Sequence, residues 1–392
     1  MNKFKITGNL GMMTPSATLA ITSKAKAMKA AGEDVCSLCA GEPDFDTPEH
    51  IKQAAIEALN KGETKYTPAT GTIEFKQAVA EKLKNENGIK TSAEQIIIAP
   101  GAKFCVFSTV AALCAPGDNA VIVAPYWLSY PEMIKSVGAE VRVLNSNPEN
   151  NYELDTDELE KIVDTKTKLL ILNTPSNPTG AVYSRKTLEK ITELALKYNF
   201  IILADEIYEK LTYDADFPHC SIASFSDETA NQVVTVNGLS KAYAMTGWRL
   251  GYLSAPLWLT KRIAALQSHT TSNPTTFAQA GGVAAIRGPQ EPVEMMRQAF
   301  SKRRDLIYSL ISNIEGLKCI RPHGAFYLFS DISFSGLDSL EFCAKLLEQE
   351  KMAVIPGTPF GAKNCIRMSY ACADNVIQDA TIRLQRFIKN NF

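Results

Sequence analysis

Lys241 lies in the turn Gly238-Leu239-Ser240-Lys241-Ala242-Tyr243, between the apolar run 232–236 and a second strand-like run, 250–254. A lysine held between two buried strands loses hydration. That lowers its amine pKa and turns it into a nucleophile for a carbonyl. Ser240 and Arg249 flank it with a hydroxyl and a fixed cation, a pair suited to a phosphate.

Other apolar runs also end in groups that could do chemistry. Run 96–99 leads into Pro100-Gly101-Ala102-Lys103, which opens an apolar helix expected over 104–114. Free N–H groups at a helix N-terminus, approached closely past a glycine, make an anion site. Run 168–172 ends at Asn173 and a loop stiffened by Pro175, Pro178 and Gly180, from which Asn177 can present an amide donor to a ring oxygen. Run 200–204 ends at Asp205, a carboxylate that is costly to bury unless paired. A protonated pyridine nitrogen is one such partner. Tyr208, three residues on, would share a helical face with Asp205 and reach a ring hydroxyl. Run 120–123 ends near Trp127, whose indole can stack on a pyridine ring. Arg367, within the strand-like stretch 365–369, is a bidentate reader for a carboxylate. Singly, each feature has a plainer explanation: a strand-to-helix turn, a capping asparagine or aspartate, a packed aromatic, an ion pair. Jointly with Lys241 they supply what pyridoxal phosphate requires, an amine for its aldehyde and a cradle for its phosphate and ring.

The elements that must hold these residues are legible as alternating strands and helices. Runs 96–99, 120–123, 140–144, 168–172 and 200–204 read as strands apolar on both faces, as in a sheet covered by helices on either side. Between the last two, a helix is expected over 185–198, with Ser184 as N-cap and Leu188, Ile191, Leu194 and Ala195 as its apolar stripe. This is βαβ patterning, and it predicts a mainly parallel sheet. Towards the C-terminus the pattern changes. A long charged helix near 291–314 precedes strand-like stretches at 325–329, 352–355 and 365–369, with helices near 339–349 and 374–388. The fold expected is therefore α/β: a central sheet sandwiched by helices in a large domain (49–289), plus a smaller α+β domain built from both chain ends (15–48 and 290–392), after an N-terminal arm (1–14).

Composition narrows the function classes. The chain has 392 residues, 45% apolar and 21% charged, with a formal net charge of −1, so no polyanion partner such as nucleic acid is indicated. The N-terminus shows no apolar leader pattern, and no run has the length of a membrane span, which predicts a cytoplasmic protein. The nine cysteines are scattered and many sit inside apolar runs, as reduced core thiols do. Cys36 and Cys39 have C-x-x-C spacing but no second pair, and strand alternation would send their sulfurs to opposite faces. The four histidines have no ligand spacing, so no metal is expected.

Pro15-Ser16-Ala17-Thr18, Ala40-Gly41-Glu42-Pro43-Asp44-Phe45, Thr64-Lys65-Tyr66-Thr67, Pro125-Tyr126-Trp127, Ser176-Asn177-Pro178-Thr179-Gly180, Asp205-Glu206-Ile207-Tyr208, Ser240-Lys241-Ala242, His323-Gly324-Ala325-Phe326-Tyr327 and the strand of Arg367 span nearly the whole chain. With them the chain resembles the class I and II aminotransferases, which are pyridoxal-phosphate enzymes of fold type I. Within that family it is similar to the prokaryotic aspartate aminotransferase branch, which includes prephenate aminotransferases. The resemblance implies transamination between an acidic amino acid and a 2-oxo acid. It implies that Lys241 joins the cofactor as a Schiff base and then shuttles the substrate's proton. Asp205 is implied to pair with the ring nitrogen, Asn177 and Tyr208 to bond the ring oxygen, and Trp127 to stack on the ring. The turn Gly101-Ala102-Lys103, with Ser240 and Arg249, is implied to hold the phosphate. Tyr66 is implied to reach the phosphate of a neighbouring subunit, which makes the protein a homodimer with shared sites. Arg367 and the backbone at Gly41 are implied to bind the substrate's α-carboxylate. Lys103, with Ser16 and Thr18, is implied to read a second carboxylate. Thr14 stands where many relatives carry a basic residue, which counts against prephenate. Alternatives within the same chemistry are a prephenate or dual-specificity enzyme and a β-lyase. A ligand-sensing domain of a transcription regulator is a further one, but no basic DNA-binding module precedes the pattern.

Overall fold

The computed structural model describes residues 8–14 and 17–392, without the side chains of residues 10 and 17–20. Its larger sheet has seven strands: β1 (Ile96–Ala99), β2 (Asn119–Ala124), β3 (Glu140–Asn145), β4 (Thr167–Asn173), β5 (Ile201–Asp205), β6 (Val233–Gly238) and β7 (Gly251–Ser254). Their order is β1-β7-β6-β5-β4-β2-β3. Strands β2 to β6 pair in parallel, and β7 runs antiparallel to both of its neighbours. Alternation along the strands feeds two separate cores. Ile96, Ile98, Leu170, Leu172, Ile202 and Ala204 face one, while Ile97, Ala99, Leu169, Ile171 and Leu203 face the other. Apolar runs without period-2 patterning are what a sheet buried on both faces produces.

The helix expected over 185–198 is observed as Arg185–Tyr198. Ser184 accepts from the Thr187 N–H, and the four stripe residues are buried. Strand β3 differs from expectation. Of its six residues only Leu144 is buried: β3 is one of the two edge strands and, unlike the other edge strand β1, is left half open. Arg142 there bonds the Ile162 carbonyl at 2.7 Å and pairs with Asp164 at 2.9 Å. Charged side chains of this kind keep an edge strand from pairing with another chain.

A second, four-stranded antiparallel sheet is formed by Ile355–Pro356, Cys365–Ser369, Tyr327–Asp331 and Lys318–Cys319, in that order. The stretch 352–355, expected as one strand, is two. Met352–Ala353 pairs in parallel with Cys36–Ser37, and Ile355–Pro356 joins the four-stranded sheet. The strand expected at 325 begins at Tyr327, since Ala325 has a φ of 57° and cannot be extended. Cys36 and Cys39 fall in different cores, and burial raises their thiols to about 12 and about 11, so both are inert packing groups.

The turn after β5 rests on a buried polar network rather than on a helix. Residues 207–210 form turns, so Tyr208 does not share a helical face with Asp205 as expected. Beneath the turn, Lys82 of helix Ile73–Asn87 pairs with Glu209, and Asn87 donates to Glu209 at 2.6 Å and to Ser221 at 2.8 Å. Ser221 in turn donates to Glu206 at 2.7 Å, and His219 lies 3.1 Å from the same Glu206 oxygen. Burial alone would raise the Glu209 carboxyl, but the Lys82 ammonium and its other partners outweigh that and hold it at about 2. A carboxyl depressed in the fold stabilises it fully above the unfolded value of roughly 4.3, and that contribution is lost as pH falls towards 2. Lys82→Met strands the Glu209 charge. It is expected to cost about 3 kcal/mol, read as a lower denaturation midpoint at neutral pH. An unchanged midpoint would show that solvent reaches Glu209.

Candidate active site

Ligands of open α/β sheets bind beyond the carboxyl ends of the strands. Here those ends open on a cavity of about 710 Å³. Asn173 closes β4, Asp205 closes β5, Ser240 and Lys241 follow β6, and Trp127 follows β2; all five line the cavity. From the smaller sheet Arg367 and Tyr327 reach it, and Gly41 and Glu42 reach it from the segment after Cys36–Ser37. Ala102, Lys103, Asn177, Tyr208 and Arg249, also singled out from the sequence, line it too. Among the described residues, six cationic side chains line this space against two carboxylates, Glu42 and Asp205. The excess is positive although the whole chain carries −1.

Lys241 donates from Nζ to the Gly41 carbonyl. Burial first, then the Arg367 guanidinium, pushes its amine down to about 8, while Glu42 and Asp205 act in the opposite direction. A sizeable fraction is therefore unprotonated near neutrality, as a nucleophilic lysine requires. Asp205 is buried, accepting from Tyr130 Oη at 2.7 Å and from the Ile207 N–H at 3.3 Å. Burial raises its carboxyl to about 6, and the Tyr130 hydrogen bond restrains that rise. An added cation beside Asp205 would restore its charge fully.

The anion turn is built as expected. Helix Ala102–Leu113 starts at Gly101 with no side-chain cap; the Phe104 N–H donates to the Gly101 carbonyl, and the Ala102 and Lys103 N–H groups are left for an anion. Gly101 has a φ of 93°, and a Cβ there would stand 2.3 Å from Arg249 Nη2. Only glycine lets the guanidinium lie against the turn, where it also donates to the Thr246 carbonyl at 2.9 Å. Gly251 on β7 backs the same turn, since a Cβ there would fall 2.2 Å from the Ala102 nitrogen. Lys103 Nζ sits 4.9 Å above the Trp127 ring, and its amine is lowered by burial and by Arg249.

Arg367 is buried and held in one geometry. Nη1 donates to Asn177 Oδ1 at 3.0 Å, Nη2 to the Cys39 carbonyl at 3.2 Å, and the guanidinium lies 4.3 Å from the Tyr327 ring centre. Its buried Nε has no partner, a donor left for a ligand. Since Asn177 Oδ1 serves Arg367, the remaining capacity of Asn177 is its amide N–H groups, the donors expected there. Tyr208 Oη lies 2.9 Å from Tyr327 Oη.

Two assignments fall outside this geometry. Ser16 lies outside the described residues, as does the side chain of Thr18. Tyr66 is 91% exposed and does not line the cavity. Conversely, Tyr130, Tyr327, Glu42, Lys26 and Lys29 belong to the site or its rim and were not anticipated. Two of them had a signal, Glu42 in the Gly41-Glu42-Pro43 segment and Tyr327 at the end of His323-Gly324-Ala325-Phe326-Tyr327; the others depend on packing between distant segments.

Comparison with known proteins agrees with this architecture. The family model for aminotransferase class I and II matches residues 33–384. An aspartate aminotransferase of Bacillus subtilis is 42% identical, over 99% of this chain and 100% of its own. An aspartate/prephenate aminotransferase of Thermus thermophilus is 40% identical, over 96% and 97%. Among solved structures, the aspartate aminotransferase from Thermus thermophilus with maleate has a TM-score of 0.94 at 39% identity, covering 99% of this chain and 100% of that one.

Proposed function

The chain belongs to the class I and II aminotransferases, and from that premise we propose that it is a pyridoxal-phosphate enzyme transferring the amino group of aspartate or glutamate to 2-oxoglutarate or oxaloacetate. The observation that carries this reading is the half-buried, pKa-lowered Lys241 amine in a cavity that holds two separate cations for anionic groups, Arg367 and Lys103. The donor set suits the cofactor. The uncapped turn at Gly101, with Ser240 and Arg249, would hold its phosphate; Trp127 would cover its ring; Asn177 and Tyr208 would bond its ring oxygen. Asp205, raised to about 6 by burial, gains a cationic partner if the ring nitrogen is protonated. When bound, the cofactor supplies an aldehyde for amine exchange and an electron-accepting ring.

The chain's own residues do the rest. Arg367 fixes the substrate's α-carboxylate through its free Nε and is itself oriented by Asn177 and the Cys39 carbonyl. Lys103 reads the second carboxylate, and Ser16 and Thr18 are assigned beside it. Lys241 Nζ would carry the proton from the substrate's Cα to the carbon of the cofactor's former aldehyde, and back in the reverse half-reaction, which a group titrating near 8 can do in both directions. The exposed Tyr66 suits a contribution to the phosphate site of a second copy, in a homodimer with shared sites. The two sheets support a division into a large domain over 49–289 and a small one over 15–48 and 290–392. A second reading, prephenate as acceptor, is favoured by the 40% identity to the Thermus aspartate/prephenate aminotransferase, and prephenate too carries two carboxylates.

A matrix of amino donors against oxo acids, including prephenate, with the cofactor's absorbance followed in parallel, tests both. Aspartate and glutamate are expected to exceed alanine and phenylalanine by at least about tenfold in kcat/KM, the scale of one charged contact. Equal use of alanine would overturn the acidic preference. Absence of cofactor absorbance from the active protein would overturn the chemistry.

A further inference from the structure

Helix Ala17–Ala30 carries three described lysines, Lys24, Lys26 and Lys29. Thr22, Ala25, Lys26 and Lys29 line the active-site cavity, a spacing of three, four and seven residues that marks one face of the helix. Lys24 is not on that face. Ala25 is buried in one core with Val35 and Ile355, so the helix is seated on the smaller sheet with this face turned to the cavity. Lys26 and Lys29 are exposed, and neither has an ion-pair partner among the described residues. The other four cations of the cavity have assignments: Arg367 and Lys103 to carboxylates, Arg249 to a phosphate, Lys241 to an aldehyde. The rim pair has none.

We propose that Lys26 and Lys29 form a cationic rim that draws doubly charged acids into the cavity, which makes them specificity-determining residues for dicarboxylate substrates. This rests on the acidic-substrate reading above. Attraction scales with net charge, so the rim favours aspartate, an anion near neutrality, over alanine, a neutral zwitterion, and a dianionic oxo acid over a monoanionic one. Cations at the mouth of a low-dielectric cleft focus the field along its axis and concentrate counter-charged ligands there. Because both ammonium groups are exposed, the effect is screened over about 8 Å at physiological ionic strength and is salt-sensitive. A rim that acts before the chemistry changes KM and leaves kcat alone.

The test compares kcat and KM for aspartate and alanine in the holoenzyme at about 20 mM and about 500 mM salt, alongside calorimetric binding of the unreactive dicarboxylate maleate. Lys26→Gln/Lys29→Gln is expected to lower kcat/KM for aspartate by about fivefold at low salt, through KM, and to weaken maleate similarly. It should change alanine by less than about twofold, and high salt should erase the difference. Lys26→Glu/Lys29→Glu should deepen the loss, and Lys24→Gln, off the cavity face, should show none. An aspartate KM and salt dependence in the glutamine pair matching those of the wild type would overturn the rim while leaving the acidic preference intact. A wild-type enzyme with no preference for aspartate over alanine would overturn that preference and the rim together.

Discussion

Replacing Lys241 with alanine is expected to lower transamination by at least about 10⁴-fold, because one side chain serves as both covalent anchor and proton carrier. Alanine keeps the turn, whose neighbours Leu239 and Ala242 are buried packing groups, so the protein should fold. The loss should be in kcat rather than in substrate affinity, since Arg367 and Lys103 are untouched. Borohydride treatment of the wild type should fix one cofactor mass to the peptide containing Lys241, and the variant should gain none. The titration of this amine supplies a further readout. Its value of about 8 lies below the ordinary lysine range, so in cofactor-free protein the reactive neutral form grows as pH rises and is nearly complete above 9, roughly one unit past the midpoint. The rate of cofactor capture should follow that curve. Capture independent of pH between 6 and 10, or turnover in the alanine variant near that of the wild type, would remove Lys241 from the centre of the chemistry.

What could be read from the chain, and what could not, divides by the range of the interaction responsible. Strands β1, β4, β5 and β6 are legible because burial on both faces keeps their middles apolar, with polar residues confined to the strand ends apart from Thr235 in β6, and helix Arg185–Tyr198 because its cap and its stripe are local. Strand β3 alternates Glu140 and Arg142 with Val141 and Val143, a local sign of a half-exposed strand, but which edge it takes depends on which strands pair. The same holds for 352–355, where neighbouring residues join different sheets. In the site, Asp205 stands out because a polar group closing an apolar strand needs a reason, and Asn177 and Lys241 because they sit in turns just beyond such strands. Tyr130 does not, because a tyrosine in an amphipathic helix is ordinary core, and its bond to Asp205 spans 75 residues of sequence. Lys26 and Lys29 are illegible for a related reason. Helical lysines are commonly solvated, and only the packing of Ala25 shows which face meets the cavity.

Arg367→Ala tests the other half of the site, substrate recognition, and its effect should be separable from that of Lys241. The guanidinium is buried, its geometry is set by Asn177 Oδ1, the Cys39 carbonyl and the Tyr327 ring, and its Nε is unpaired. A carboxylate arriving there completes a preorganised charge-assisted contact and meets little reorganisation cost. Truncation removes that contact and also frees Asn177 from its partner. The expected result is a rise in KM for both amino and oxo acids, and a fall in kcat/KM of about 100-fold, or about 3 kcal/mol, the scale of a lost buried charge-assisted pair. Because every substrate carries an α-carboxylate, alanine and aspartate should suffer alike, whereas Lys103→Ala should penalise aspartate selectively. There is a second consequence. Arg367 is the largest charge effect lowering the Lys241 amine, after burial itself, so its removal should shift the pH midpoint of cofactor capture upwards from about 8. An Arg367→Ala enzyme that loses aspartate but handles alanine normally would exchange the roles of Arg367 and Lys103. An unchanged capture midpoint would mean that solvent screens the guanidinium from the amine.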